Sequence, residues 1–197
     1  MNTMFFPSFG KKIPITQCCI KDINHNRFVP ATFFEVDCTD MKDINEIYQT
    51  KGDWSFKNLI AAKMFDKNNC IDNGFYFYDN KAFYIMQKQD GEIVGVSEVE
   101  KIGKQINLDF IESEPEGQYK YVGQSMIASL GQVLRNEKRK KIYIPNPVKT
   151  AQDFYTQKCG FKKIDDSSAL VMKLSQAGKL SKKLEKETKH KMLEVQV

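Results

Sequence analysis

Histidine is almost missing from this chain. Its 197 residues contain two, His25 and His190, and both lie outside the stretches with the clearest element patterning. Serine-histidine or cysteine-histidine nucleophilic systems therefore have little material to draw on. Cysteine is scarce and badly spaced for a framework. Cys18, Cys19, Cys38, Cys70 and Cys159 are odd in number and form no C-x-x-C pair, so neither a metal cluster nor a disulfide network is expected, and the thiols read as reduced. Long apolar runs are absent too, which excludes a helix of membrane-spanning length. The first ten residues lack the charged start and apolar run of a signal peptide, because Lys11 and Lys12 come after them, and a cytoplasmic location is the expectation.

What remains is the composition of an ordinary globular domain. Apolar residues make up 41% and aromatic residues 12%, enough for a core. The net charge is +5, and most of it sits at the end of the chain. There Lys179, Lys182, Lys183, Lys186, Lys189 and Lys191 face only Glu185, Glu187 and Glu194. A basic tail of this kind does not make a basic surface, so nucleic acid is not an expected partner.

Three regions follow: an N-terminal extension 1–30, a domain 31–175, and a basic tail 176–197. The extension holds Pro7, Pro14 and Pro30 and little periodicity, and reads as irregular packing or an extra strand. Strands are predicted over 31–38, 82–87, 92–101, 104–113, 141–144, 161–164 and 169–174. Asp40 caps a first helix, Phe56, Leu59, Ile60 and Met64 mark a second, and two more span about 123–138 and 147–158. The order is β-α-α-β-β-β-α-β-α-β, an α/β sandwich on a mixed sheet flanked by helices. Gly131, in mid-helix, suggests a close helix-sheet approach. The tail reads as a frayed, solvated end, with a short amphipathic helix through Leu180, Leu184 and Met192 as the alternative. The aromatic stretch Gly74 to Tyr78 reads as core, or as the lining of an acceptor groove or dimer surface.

The most informative segment runs from Ile111 to Leu130. A strand ends, a polar loop crosses the sheet edge, and a helix begins near Gly123. The first turn of that helix offers unpaired N–H groups and the positive end of a dipole, which suits a pyrophosphate. Gly123 has no Cβ to hold a ligand away from the backbone.

Here the sequence resembles the GNAT superfamily of N-acetyltransferases, which carries Q/R-x-x-G-x-G/A between a strand and a helix. Gln118-Tyr119-Lys120-Tyr121-Val122-Gly123 fits that pattern, with Tyr121 standing where the first glycine is usual. A shifted register, Lys120 to Ser125, would instead put Gly123 in the first-glycine place. A tyrosine disfavours positive φ, so the loop is expected to be reshaped or Tyr121 to keep a negative φ.

Downstream, 147–161 is similar to the family's A-x-x-F/L-Y-x-x-x-G-F signature through Ala151, Phe154, Tyr155, Gly160 and Phe161. Val148 replaces an asparagine usual there, so one bond to the pantetheine arm is missing or falls to Asn146. The resemblance covers roughly 31–174 and implies a GNAT-like, mostly antiparallel sheet.

It also implies acetyl-CoA as co-substrate, no metal, and transfer of the acetyl group to a primary amine, small-molecule or protein. A non-catalytic acyl-CoA-binding or interaction module is the alternative, and a homodimer stays open. The backbone at Ile111 and Ser113 would pair with the pantetheine and polarise the thioester. Gln118, Tyr119, Lys120, Tyr121, Val122, Gly123 and Gln124 would cradle the pyrophosphate, and Tyr155 would serve the departing thiolate. Asp109, sharing a strand face with Asn107 and Ile111, is the candidate base or water-orienting group, with Glu98 and Glu100 as further carboxylates. The run Lys138 to Lys141 reads as compensation of a helix dipole, or as a grip on the 3′-phosphate of CoA. Acceptor choice is expected to rest on the loop from Thr50 to Phe56.

Overall fold

The computed structural model describes residues 12–36, 41–52, 54, 61, 63–64, 80–165 and 167–194. The Asp40 cap, Cys38 and Cys70, the acceptor-loop positions 55–56, most of the second predicted helix and Gly74 to Tyr78 lie outside them. Ala61, Lys63 and Met64, from the end of that helix, are helical.

The frame is a nine-stranded sheet. In chain order its strands are β1 (Ile13–Asp22), β2 (Arg27–Val36), β3 (Lys81–Lys88), β4 (Ile93–Ile102), β5 (Gln105–Ser113), β6 (Tyr119–Lys120), β7 (Lys141–Ile144), β8 (Lys162–Lys163) and β9 (Leu170–Lys173). They lie side by side as β6-β1-β2-β3-β4-β5-β7-β9-β8. Every neighbouring pair is antiparallel except β5 and β7. The helices are α1 (Met41–Tyr48), α2 (Val122–Asn136) and α3 (Leu174–Glu194), and a tightly wound 3₁₀ turn, Lys149–Ala151, leads into π-helical Phe154–Cys159.

Alternation along the central strands builds two cores, one on each face. On β3, Ala82, Tyr84 and Met86 join the larger cluster with Met126, Ile127 and Leu130 of α2, while Phe83 and Ile85 join Ile44, Ile47, Trp54 and Met64 on the α1 face. A strand buried on both sides is what this run of apolar residues encodes. The fold class read from the sequence matches this α/β arrangement.

At each chain end the structure selects one of the two readings the sequence left open. The N-terminal region adds a strand rather than packing irregularly: β1 pairs with β2 along its whole length, and β2 already starts at Arg27, so a boundary at residue 30 cuts a strand. Pro14 and Pro30 hid the period, and β1 tolerates its proline at a register shift between Pro14 and Thr16.

The tail is not frayed: it takes the alternative, helical reading, at greater length, as the 21-residue helix α3, with Ala177, Leu180 and Leu184 buried in the larger core. Met192's side chain lies outside the described residues. No helix among the described residues is long and apolar enough to cross a membrane. Gly131 serves α3 rather than the sheet, since a Cβ there would lie 2.6 Å from the Cβ of Ala177. Gly131→Val is expected to lower stability by about 2 kcal/mol through overpacking, measured by urea unfolding. A gain in stability, the sign helix propensity alone would give, would show that α2 and α3 do not meet there.

Candidate acyl-transfer site

The site forms where two strands part company. β5 pairs with β7 only from Gln105 to Asn107, while it pairs with β4 as far as Ser113. Beyond Asn107, among the described residues, no strand covers the β7-facing edge of β5. An unpaired edge of this length is ready to accept an extended ligand as an extra strand. Ile111 and Ser113 lie on it, and Asn146 is exposed just past the end of β7.

A bulge sharpens the divergence. Glu98 opposes Phe110 and Val99 opposes Leu108, so Asp109 is the extra residue on β5. It corrects one expectation. Asn107 and Asp109 reach partners toward the α1 side, but Ile111 is turned over to pack on the larger core, so Asp109 and Ile111 do not share a face.

The loop after β5 is bound on several sides. Glu114 N–H donates to Val94 O (3.0 Å), Ile23 N–H to Gln118 O (2.9 Å), and Tyr119 N–H to Glu114 Oε1 (3.0 Å). Lys120 and Tyr119 pair with Lys21 and Asp22 of β1, and Gln118 Nε2 donates to Glu116.

Tyr121 then adopts φ 72° and ψ 0°, the left-handed conformation, and caps α2 with no side-chain bond. Of the two expectations, a reshaped loop or a negative φ, the negative φ is thus overturned. The left-handed φ falls on Tyr121, and Gly123 is the second residue of α2. The strain, about 1–2 kcal/mol, is offset by packing of the ring on the core and its stacking on Phe28, 6.4 Å between centroids and 13° between planes. A left-handed residue followed by a helix aligns successive N–H groups into a concavity for an anion. Val122, Gly123 and Gln124 begin α2, where N–H groups lack intrahelical acceptors. The residues present therefore fit a pyrophosphate.

Gly123 has a second purpose that the sequence did not reveal. A Cβ there would stand 3.0 Å from Phe154 Cζ, so the glycine admits the Phe154 ring against the first turn of α2. Gln124 Nε2 also donates to Lys158 O (3.3 Å), fastening the 149–159 helix to that turn. The family signature has three residues between tyrosine and glycine, whereas this chain has four, Thr156 to Cys159. The extra one is absorbed by π-helical widening, and Gly160 ends the helix at φ 85°.

This turn sets Tyr155 in the core, edge-on to Phe154 (5.3 Å) and Phe161 (5.6 Å). Burial, and then nearby Cys159, push its hydroxyl up to about 12. Among the described residues nothing accepts from or donates to that hydroxyl.

On the α1 face a charged cluster lies behind the bulge. Glu98, 1% exposed, receives Lys63 Nζ at 2.7 Å and Lys81 Nζ at 3.1 Å, and Lys81 also pairs with Asp109. Burial opposes the Lys81 charge, yet Asp109 and Glu98 overcome it and hold the ammonium above its ordinary range. Asn107 Nδ2 donates to Glu100 (3.1 Å). Sequence reasoning named the carboxylates and missed both lysines. Their strand and helix positions gave no sign, because every partner lies on another element: Lys63 reaches Glu98 35 residues away, and Lys81 reaches Asp109 28 residues away as well as Glu98 on the neighbouring strand.

Lys138 to Lys141 stand at the far end of α2, about 22 Å from its first turn by helix rise. Arg139 there binds Gly103 O (2.7 Å), locking the β4–β5 hairpin. The 3′-phosphate reading of that run gains nothing from this placement.

No protein-family model matches the sequence, and no curated protein matches it either. Solved structures do resemble the fold. A protein assigned to the GNAT family of acetyltransferases from Desulfovibrio desulfuricans superposes with a TM-score of 0.52 at 11% identity, covering 73% of this chain and 99% of that one. An uncharacterized protein of Bacillus halodurans gives 0.53 at 12% identity, over 88% and 98%. The PaiA N-acetyltransferase of Thermoplasma acidophilum, solved with coenzyme A, gives 0.49 at 12% identity, over 73% and 98%. At such identities the likeness to the Desulfovibrio and Bacillus proteins speaks for the architecture alone, and with the strand order above it shows that this chain has the GNAT fold.

Proposed function

We propose that this protein transfers an acetyl group from acetyl-CoA directly to an amine. The observation that carries the reading is the pairing of an open β5 edge with an anion-binding turn at the start of α2. An extended thioester with a pyrophosphate at one end has both features in that order. Backbone groups of Ile111 and Ser113 would hold the pantetheine arm and polarise the carbonyl, with Asn146 at the opposite lip. The N–H groups from Tyr121 to Gln124 would receive the pyrophosphate, with Gln118, Tyr119 and Lys120 shaping the approach. A phenol pushed up to about 12 keeps its proton across neutral pH, so Tyr155 would donate to the departing sulfur rather than accept from it. Asp109 would orient the incoming amine or its water; its pairing with Lys81 favours this over full proton removal. The left-handed Tyr121, which leaves the turn open to an anion, supports this reading over the non-catalytic alternative that Tyr121 and Val148 motivated.

The test is release of CoA thiol from acetyl-CoA in the presence of a panel of primary amines, polyamines, aminoglycosides and peptides. Amine-dependent release with an acetylated product supports the proposal. Release that no amine accelerates would reject it.

A further inference from the structure

Outside the residues that would meet the ligand, one cluster bears directly on the anion-binding turn. The β3–β4 hairpin ends in Lys88, Asp90 and Glu92, and Tyr119 of β6 reaches across to it. Lys88 Nζ donates to Tyr119 Oη (2.8 Å), sits 4.9 Å from the centre of its ring, and pairs with Glu92 and with Asp90 (3.0 Å). Tyr119 Oη in turn donates to Glu92 Oε2 (3.0 Å), closing a triangle. Lys88 is 12% exposed, and although burial opposes its charge, Glu92, Tyr119 and Asp90 raise its pKa above the ordinary range. Tyr119 stands two residues before the left-handed Tyr121.

From this geometry we infer that Lys88 is a positioning residue for the pyrophosphate turn, acting through Tyr119. It has two effects. By gripping the Tyr119 ring and hydroxyl, it fixes the strand that delivers Tyr121 to α2. By neutralising Glu92 and Asp90, it limits the negative field that those groups, with Glu114 and Glu116, would set against an incoming anion. Removing the cation loosens the turn and leaves two carboxylates unbalanced beside it. The inference rests on the acetyl-CoA reading given above.

The experiment compares two ligands by calorimetry: acetyl-CoA, and S-acetylpantetheine, which lacks the nucleotide and pyrophosphate. Lys88→Met is expected to weaken acetyl-CoA binding about tenfold, which corresponds to 1.4 kcal/mol, and to leave S-acetylpantetheine within twofold. Lys88→Arg, which keeps a cation over the ring, is expected to restore most of the loss. If Lys88→Met does not fold, Tyr119→Phe takes its place, since it retains the ring and removes both hydroxyl bonds. Equal losses for both ligands, or no loss for acetyl-CoA, would overturn the positioning role. A parent protein that binds neither ligand would overturn the acetyl-CoA reading itself, and this inference with it.

Discussion

Tyr155→Phe is expected to lower turnover by roughly tenfold or more while acetyl-CoA binds as tightly as before. The substitution removes one oxygen and keeps the ring that packs edge-on to Phe154 and Phe161. Stability should therefore change little, and the loss should appear in the chemical step. The pH dependence adds a second check. Because burial pushes the hydroxyl up to about 12, it stays protonated between pH 7 and 9, and the ratio of parent to variant rates should be constant across that window. A ratio that collapses toward unity by pH 9 would mean that the hydroxyl ionises there and is not buried as described. Unchanged turnover at every pH would remove Tyr155 from the reaction.

Glu98→Ala is expected to cost about 3 kcal/mol of folding stability, the largest effect of any single substitution considered. The carboxylate is enclosed and is shared by Lys63 and Lys81. Deleting one partner of a buried ion pair typically costs 3–5 kcal/mol. The lower end applies because both lysines keep partial access to water, their side chains being 26% and 19% exposed, and Lys81 retains Asp109. Glu98→Gln, which keeps the shape and one acceptor, should cost less than the alanine variant. Lys81 adds a pH dependence to the cluster. Its raised pKa means that its stabilisation is complete below the ordinary lysine range and is lost only as pH climbs through the folded value. Urea unfolding at neutral pH gives both numbers. A change below 1 kcal/mol for the alanine variant would mean that the lysines do not depend on Glu98.

How far the sequence could be read follows from the range of each interaction. The α2 and β7 spans were legible because their periodicity is local, and so was Gly160 as a helix terminator. Tyr121 could not be assigned a conformation from its type. Its left-handed backbone is stabilised by Phe28, which is 93 positions earlier and which no local rule connects to it. The same holds for β1 and α3. Prolines kept the first from being told apart from irregular packing, and the high lysine content of the second left the stripe of Leu180 and Leu184, which the fold buries with Ala177, only an alternative to a frayed end. Gly123 was singled out for a ligand's approach, whereas the contact the fold gives it, the Phe154 ring, lies in a later segment. The four-residue spacing from Tyr155 to Gly160 was visible in the sequence, and its consequence, a π-helical turn, needed the fold.

Amide hydrogen exchange of the full chain, with and without acetyl-CoA, tests the central claim most directly. If the ligand lies along β5 and enters the turn at α2, exchange slows in peptides covering residues 108–113 and 121–124, while the β8–β9 end is unaffected. Binding that protects some other surface, or no change in exchange at a saturating ligand concentration, would contradict the site described for this fold.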